Sequence, residues 1–312
     1  MGRRRDKKKK VRTGTKMDPA WAWTRMHEVD QRAHPRYIPE SPDLAFARRA
    51  IGTALTNAKT KRAVDIGAGS GEITSELHRT GGNVTLVDFA KVQTLPHKMP
   101  VESFRASAEK LPGEWTGKFG VALTAYSFDY TNKEKAVAEV KRVLERNGRL
   151  VAMLHHPNSA YLESLKLTRE GTKKIIQILT DVKNSRIKNY EQFLEAVQKE
   201  IPPMTARMLK MEDTFRIMQK YFKFRREFKT GIPQERNWLR ERLEKNIQLQ
   251  KTVYGAFKPL FEKSGAIFPN EAAVRQFFES HGFRVRYLKT LKFKEGPHKG
   301  ETLCYALYAQ KI

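Results

Sequence analysis

A single cysteine, Cys304, occurs in 312 residues, which excludes an intramolecular disulfide framework and any zinc site built on several thiolates. Flanked by Thr302 to Tyr308, a run with strand character, it reads as a buried thiol packed as a small hydrophobe. No apolar run reaches the length of a membrane span or a signal-peptide core, so the chain is expected to be neither secreted nor membrane-spanning, with a cytoplasmic location. Acidic residues are scarce: 34 Asp and Glu stand against 60 Lys and Arg, a formal net charge of +26. That excess favours a polyanionic partner, such as nucleic acid, a ribonucleoprotein or an anionic surface, and says nothing about fold. A metal site is not expected, because no further His or acid stands at ligand spacing near His155 and His156.

What is present is enough apolar material, 39% of the chain, for a buried core and a substantial insertion. Residues 1–17 carry nine basic side chains against one acid, Asp6, and almost nothing apolar. Such a segment cannot offset its ordering entropy and is expected to be a disordered basic tail. It serves either as a solubilising arm or as a tether to phosphates. Residues 18–156 read as the core of the protein. Ser41-Pro42 is expected to cap and start a helix lined by Leu44, Ala47, Ala50, Ile51 and Leu55. Ala63 to Ile66, Val84 to Val87, Val101 to Phe104, Phe119 to Thr124 and Arg149 to Leu154 then read as strands. Glu72 to Arg79 and Lys133 to Arg146 read as helices between them. This alternation predicts a doubly wound, mostly parallel α/β sheet with helices on both faces.

From 157 to 264 the apolar spacing changes to threes and fours, as in Ile175, Ile178, Leu179, Val182 and in Met204, Met208, Met211, Phe215, Met218, Phe222. A helical insertion, or lid, is the expected form. Residues 265–312 complete the sheet with a helix from Asn270 to His281, a strand from Phe283 to Leu291 and a closing strand from Leu303 to Ala309. The last two are close enough in sequence to pair antiparallel. About seven strands result.

The strongest local signal is Ala63-Val64-Asp65-Ile66-Gly67-Ala68-Gly69-Ser70-Gly71-Glu72, a strand running into a loop with glycine at every second position and then directly into a helix. A ligand can approach such a backbone without Cβ obstruction. The third glycine comes one residue too early for the dinucleotide fingerprint. A second strand, Val84 to Val87, ends on Asp88, the placement at which a carboxylate can accept both ribose hydroxyls.

These motifs resemble the class I S-adenosylmethionine-dependent methyltransferases, especially the branch that includes the ubiquinone-biosynthesis C-methyltransferases. The resemblance covers Lys61 to about Pro157 and the order of elements from Phe268 to Ile312. It implies a Rossmann-like fold with S-adenosylmethionine as cofactor. It further implies that Gly67, Gly69 and Gly71 line the methionine moiety, that Asp65 helps hold its amino group and that Asp88 binds the ribose. The run Phe104 to Pro112 is similar to the family's adenine-contacting motif, bringing in Ser107, Ala108 and Glu109. Ser107 stands where many members carry Asp, so the adenine N6 contact falls to Ser107 or Glu109. Lys141 to Leu150 resembles the helix, turn and fifth strand, with Asn147-Gly148 where Pro-Gly-Gly is common.

After the fourth strand comes Thr124-Ala125-Tyr126-Ser127-Phe128-Asp129-Tyr130. It is not the Asp/Asn-Pro-Pro-Tyr of adenine-N6 and glutamine methylating types, and a lone cysteine argues against the two-cysteine route to 5-methylcytosine. Tyr126 is a candidate for packing on the cofactor or, equally, for the core. His155 and His156 close the fifth strand, and histidine titrates near neutrality, so either is a candidate general base or a structural histidine. Asp129 is a third candidate. In the insertion, Lys220 to Lys229 interleaves aromatics with cations, a pattern that suits RNA backbone and bases but also an amphipathic helix with an aromatic core side. The expected function is methyl transfer by in-line displacement to RNA or a ribonucleoprotein. The alternatives are a small, apolar acceptor enclosed by the lid and an inactive, cofactor-binding RNA-associated factor.

Overall fold

Pro42 at the first helical position and Ala47, Ala50, Ile51, Ala54 and Leu55 along one side make α1 (Pro42–Asn57) an amphipathic helix that lies on the sheet. The computed structural model describes residues 41–69, 71–90, 101–203, 206, 211–227, 233–262, 266–295 and 298–312. The basic tail expected over 1–17 lies outside them, as do Met204 and Met208 and the end of the aromatic-basic stretch. Ser41 does not cap α1: its hydroxyl donates to the Asp43 carboxylate at 2.5 Å, and no side-chain cap is formed.

The strands are β1 (Arg62–Ile66), β2 (Asn83–Asp88), β3 (Glu102–Arg105), β4 (Phe119–Ala125), β5 (Leu144–His155), β6 (Phe283–Lys292) and β7 (Thr302–Lys311). They form one seven-stranded sheet in the order β3-β2-β1-β4-β5-β7-β6. The first five are parallel, and β7 runs antiparallel to both β5 and β6. This is the Rossmann-like arrangement expected. Helix α2 (Glu72–Arg79) follows β1 and α3 (Lys133–Val143) follows β4.

The expected helix to Arg146 stops at Val143. Leu144 pairs with Phe119 and Arg149 with Val121, so the four residues between them bulge outward inside β5. Asn147 there takes a left-handed φ of 62°, which a helix cannot accommodate but an Asn-Gly pair can. The Glu145 carboxylate on this bulge accepts the Lys59 N–H at 2.7 Å, tying it to the turn before β1.

Between β5 and the end of the sheet the described chain is helical: α4 (Ala160–Lys183), α5 (Tyr190–Glu200), α6 (Met211–Glu227), α7 (Pro233–Ala256) and α8 (Lys258–Glu262). Helix α9 (Glu271–Ser280) then leads into β6. Each sheet face carries its own core. One joins α1 to Leu123, Val151, Met153 and Ala306 and to the base of the insertion through Tyr161, Leu165, Phe257 and Leu260. The other joins α3 and α9 to Phe119, Leu150, Phe278 and Phe283. The insertion has a third core, with Ile175, Leu179, Phe193, Met211, Met218, Phe222 and Leu243 buried together. Each such side chain removed from water contributes about 1.5–3 kcal/mol, so the insertion folds around its own apolar centre. Cys304 is buried in β7, and no described helix is long and apolar enough to cross a membrane.

Candidate active site

The carboxyl ends of β1, β2, β4 and β5 converge on one edge of the sheet, which is where ligands of open α/β sheets bind. At the end of β1 the backbone N–H groups of Gly67 and Ala68 both donate to the Val87 carbonyl, at 2.7 and 3.1 Å, clamping the glycine loop to β2. Gly67, Gly69 and Gly71 have φ values of 74°, 54° and 77°, left-handed conformations that cost a residue with a Cβ about 1–2 kcal/mol each. Space forbids a side chain too: a Cβ on Gly67 would lie 2.2 Å from the Ser127 Cβ. Ser127 is held in place by its hydrogen bonds to the Ile66 carbonyl and to Thr124.

Two acids flank the loop. Asp88 is buried at the end of β2, its Oδ2 accepting the Gly69 N–H at 2.8 Å and its Oδ1 the Ala90 N–H at 2.7 Å. Asp65 is also buried, and its Oδ2 accepts the Thr74 hydroxyl of α2 at 2.6 Å. Burial pushes the Asp65 carboxyl up to about 7; the Thr74 hydrogen bond opposes the rise, and the negative Asp88 adds to it. An ammonium group beside Asp65 would stabilise the carboxylate. Phe89, directly after Asp88, is 47% exposed, a large apolar surface at the site that the sequence reading of β2 did not single out.

The stretch after β3 turns tightly. The Ser107 hydroxyl accepts the Glu109 N–H at 3.1 Å, and Glu109 Oε1 accepts the Asn132 N–H at 2.7 Å, at the N-cap of α3. Ala108 is half-buried between them and packs against the core of that face. The loop from Leu111 to Thr116 is pinned by Arg142 of α3, whose guanidinium donates to the carbonyls of Leu111, Pro112 and Gly113 and to Thr116 while forming a bidentate pair with Glu139. Glu139 in turn accepts the Leu111 N–H at 2.7 Å. The sequence pattern alone marks Arg142 only as a cation on a helix, since its partners lie about thirty positions back in a loop.

Tyr126 has a φ of 59° and is buried, with its hydroxyl donating to Asp43 of α1 at 2.8 Å. It packs with the core of that sheet face, the second of its two candidate roles. His155 is fully buried. Its ring centroid lies 4.9 Å from Tyr161, 5.1 Å from Tyr126 and 5.8 Å from Tyr130. Its backbone N–H donates to Asp129 Oδ2 at 2.8 Å. Asp129 itself is buried in the turn Phe128–Tyr130, and its Oδ1 has no hydrogen-bond partner among the described residues. Burial pushes its carboxyl up to about 7, with the His155 N–H and the Lys133 cation opposing. His156 is half-buried, 4.6 Å from the Tyr305 ring, and its Nδ1 accepts the Asn158 N–H at 3.1 Å. Desolvation holds its imidazole below the usual range and Glu271 pulls the other way.

The structure thus brings Asp65, the three glycines and Asp88 together, and sets Asp129, His155 and His156 as neighbours at the ends of β4 and β5. In the insertion, Phe222 is buried and Tyr221 half-buried against it, while Lys220 and Lys223 are exposed. Among the described residues no three His, Cys, Asp or Glu side chains cluster in a way that could hold a metal.

Residues 64–152 match the methyltransferase domain family. The demethylmenaquinone methyltransferase of Thermus thermophilus is 31% identical over 132 residues, covering 39% of this chain and 59% of that protein. Over this span the chain is similar to the S-adenosylmethionine-dependent methyltransferases. An uncharacterized methyltransferase of Mycobacterium bovis is 29% identical over 123 residues, covering 38% of this chain and 46% of that protein. The chain therefore spans about half the length of the curated relatives it matches. Among solved structures, the Burkholderia thailandensis 1,6-didemethyltoxoflavin-N1-methyltransferase is similar at 12% identity and a TM-score of 0.44, covering 96% of this chain and 93% of that one. The matched span of the methyltransferase domain begins inside β1 and ends inside β5, so the helical insertion lies wholly outside it.

Proposed function

We propose that the protein is an S-adenosylmethionine-dependent methyltransferase whose acceptor is RNA or a ribonucleoprotein. The observation that carries the transfer chemistry is the juxtaposition, at one sheet edge, of a loop with glycine at every second position between two buried acids and a second group of titratable residues at the next two strand ends. S-adenosylmethionine, when bound, supplies a methyl group on a sulfonium. Asp88 accepts ribose hydroxyls, Asp65 faces the amino group, and Gly67, Gly69 and Gly71 leave room for the methionine portion. Ser107, Ala108 and Glu109 border the adenine. His156 is the side chain suited to take the acceptor's proton, because desolvation keeps it neutral and it is not fully enclosed. His155 and Asp129 act by position, Asp129 fixing the end of β5 through the His155 N–H.

The polyanionic acceptor is supported by the +26 charge and by the tail, nine basic residues against one acidic. A small acceptor beneath the insertion is the second reading, favoured by the stacking of Tyr161, at the start of α4, on His155. Labelled methyl transfer from the cofactor into fractionated cell extract tests both. Label in the RNA fraction is the expected result; label confined to small molecules selects the second reading. Cofactor binding without any transfer would leave an inactive RNA-associated factor.

A further inference from the structure

We propose that the outer part of the α1-side sheet face, formed by β6, β7 and the start of β5, is where the RNA backbone docks. The inference rests on the RNA reading above. In register across three strands stand Arg149, Gln310 and Arg284; the next row holds Val151, Tyr308 and Tyr287, and the next Met153, Ala306 and Lys289. Val151, Met153 and Ala306 are covered by α1, which touches the edge strand through Phe46 against Tyr287 and leaves the rest of that strand's surface open. There Arg284, Arg286, Tyr287 and Lys289 are all exposed, Tyr287 by 41%. A bulge between Val285 and Tyr287 keeps this set on one side. Arg286 is aimed along the face by two hydrogen bonds to Gln310 Oε1, at 3.2 and 2.8 Å.

The Tyr287 ring stacks on Phe46 of α1 with centroids 5.6 Å apart, so it is a fixed platform rather than a loose side chain. Strand β6 contains four cations, at Arg284, Arg286, Lys289 and Lys292, and no acid. The nearest acids in sequence are Glu295, in the connection to β7, and Glu279 of α9, which is paired with Arg275; Glu271 of α9 accepts the Thr290 N–H and hydroxyl, but α9 packs on the opposite face of the sheet. Charges on an edge strand also discourage edge-to-edge pairing, yet that role accepts either sign and needs no exposed ring. Cations of one sign around a braced aromatic on a sheet surface match phosphates and an unpaired base.

The test is binding of a fluorescent, mixed-sequence single-stranded RNA to the full chain over a range of salt. Replacing Arg284, Arg286 and Lys289 together by Gln should weaken binding roughly tenfold or more and lower the slope of log affinity on log salt by about 2. Tyr287→Ala should weaken it about 5- to 150-fold with the slope unchanged. A control triple of Lys166, Lys173 and Lys188 to Gln, on α4 and just beyond it, should change binding much less. If the wild type binds RNA and the β6 triple matches it or matches the control, this face is not the dock, while the RNA reading survives. If the wild type shows no saturable RNA binding, that reading falls and the inference with it. Loss of adhesion to phosphatidylserine vesicles in the β6 triple, with RNA binding intact, would reassign the face to membranes.

Discussion

The Asp88 carboxylate accepts the Gly69 N–H at 2.8 Å, so the acid at the end of β2 also shapes the glycine loop at the end of β1. In the proposed site the same side chain takes a second duty, offering its remaining lone pairs to ribose hydroxyls. Asp88→Ala should reduce cofactor affinity by about 2–4 kcal/mol, roughly 30- to 1000-fold, since charge-assisted hydrogen bonds are lost and the loop is loosened. Asp88→Asn should lose less, because its amide oxygen can still accept the Gly69 N–H. Calorimetric titration with S-adenosylmethionine checks the order; equal affinity in wild type and Asp88→Ala would remove Asp88 from the site.

Gly67→Ala places a Cβ against Ser127 at a left-handed φ of 74°. Backbone strain of about 1–2 kcal/mol adds to an overpacking cost of about 1–3 kcal/mol. The variant should melt well below the wild type and bind cofactor weakly, as read by thermal unfolding with and without S-adenosylhomocysteine. A wild-type melting temperature would show that the loop has another conformation available.

Asp65 and Asp129 each have a carboxyl raised from the ordinary 3.8 to about 7. Between those values the folded chain holds protons that the unfolded chain has released, so their contribution to stability is present below about pH 4 and is lost as pH rises to about 7. Asp65→Asn and Asp129→Asn should each flatten the fall in melting temperature between pH 5 and pH 8. Cofactor binding should tighten over the same window as Asp65 ionises, with proton release detectable by calorimetry in buffers of different ionisation enthalpy. Unchanged pH profiles in both variants would contradict the assignment.

Arg142→Lys should prove non-conservative. The guanidinium reaches three carbonyls, Thr116 and both Glu139 oxygens at once, and an ammonium cannot span that fork. The expected signature is a raised KM for the cofactor, by about 5- to 30-fold, with kcat little altered. Faster amide exchange around Leu111 should accompany it; a lowered kcat with normal KM would point elsewhere.

His156→Gln should lower kcat by about 10²- to 10⁴-fold with cofactor affinity retained, if the acceptor must lose a proton. His155→Gln should instead be chiefly destabilising, because the ring is enclosed by three tyrosines. Near-normal turnover of His156→Gln on the true acceptor would exclude that histidine as the base.

Local chemistry was readable in the chain. The apolar runs that became β1, β2 and β4, the alternating glycines, and the acids ending β1 and β2 follow from backbone sterics and from burial of both sheet faces, properties that neighbouring residues express in order. The start of α3 was also legible, since Asn132 accepts the Lys135 N–H as an N-cap should. Its end was not, because the helix stops where Leu144 finds Phe119, twenty-five positions earlier.

Only tertiary structure decided what long-range partners determine. Tyr126 could face a ligand or the core until Asp43 of α1 supplied an acceptor for its hydroxyl. Asp65 and Asp129 became proton-holding groups through burial, which a sequence does not record. The aromatics of Lys220 to Lys229 lost part of their claim to stack on bases when Phe222 entered the core of the insertion. Tyr287, unremarkable within its strand, became an exposed platform because Phe46 of α1 braces one side of its ring while 41% of the residue stays open to solvent. In each case the deciding partner is remote in sequence and near in space, and that proximity exists only once the sheet has formed.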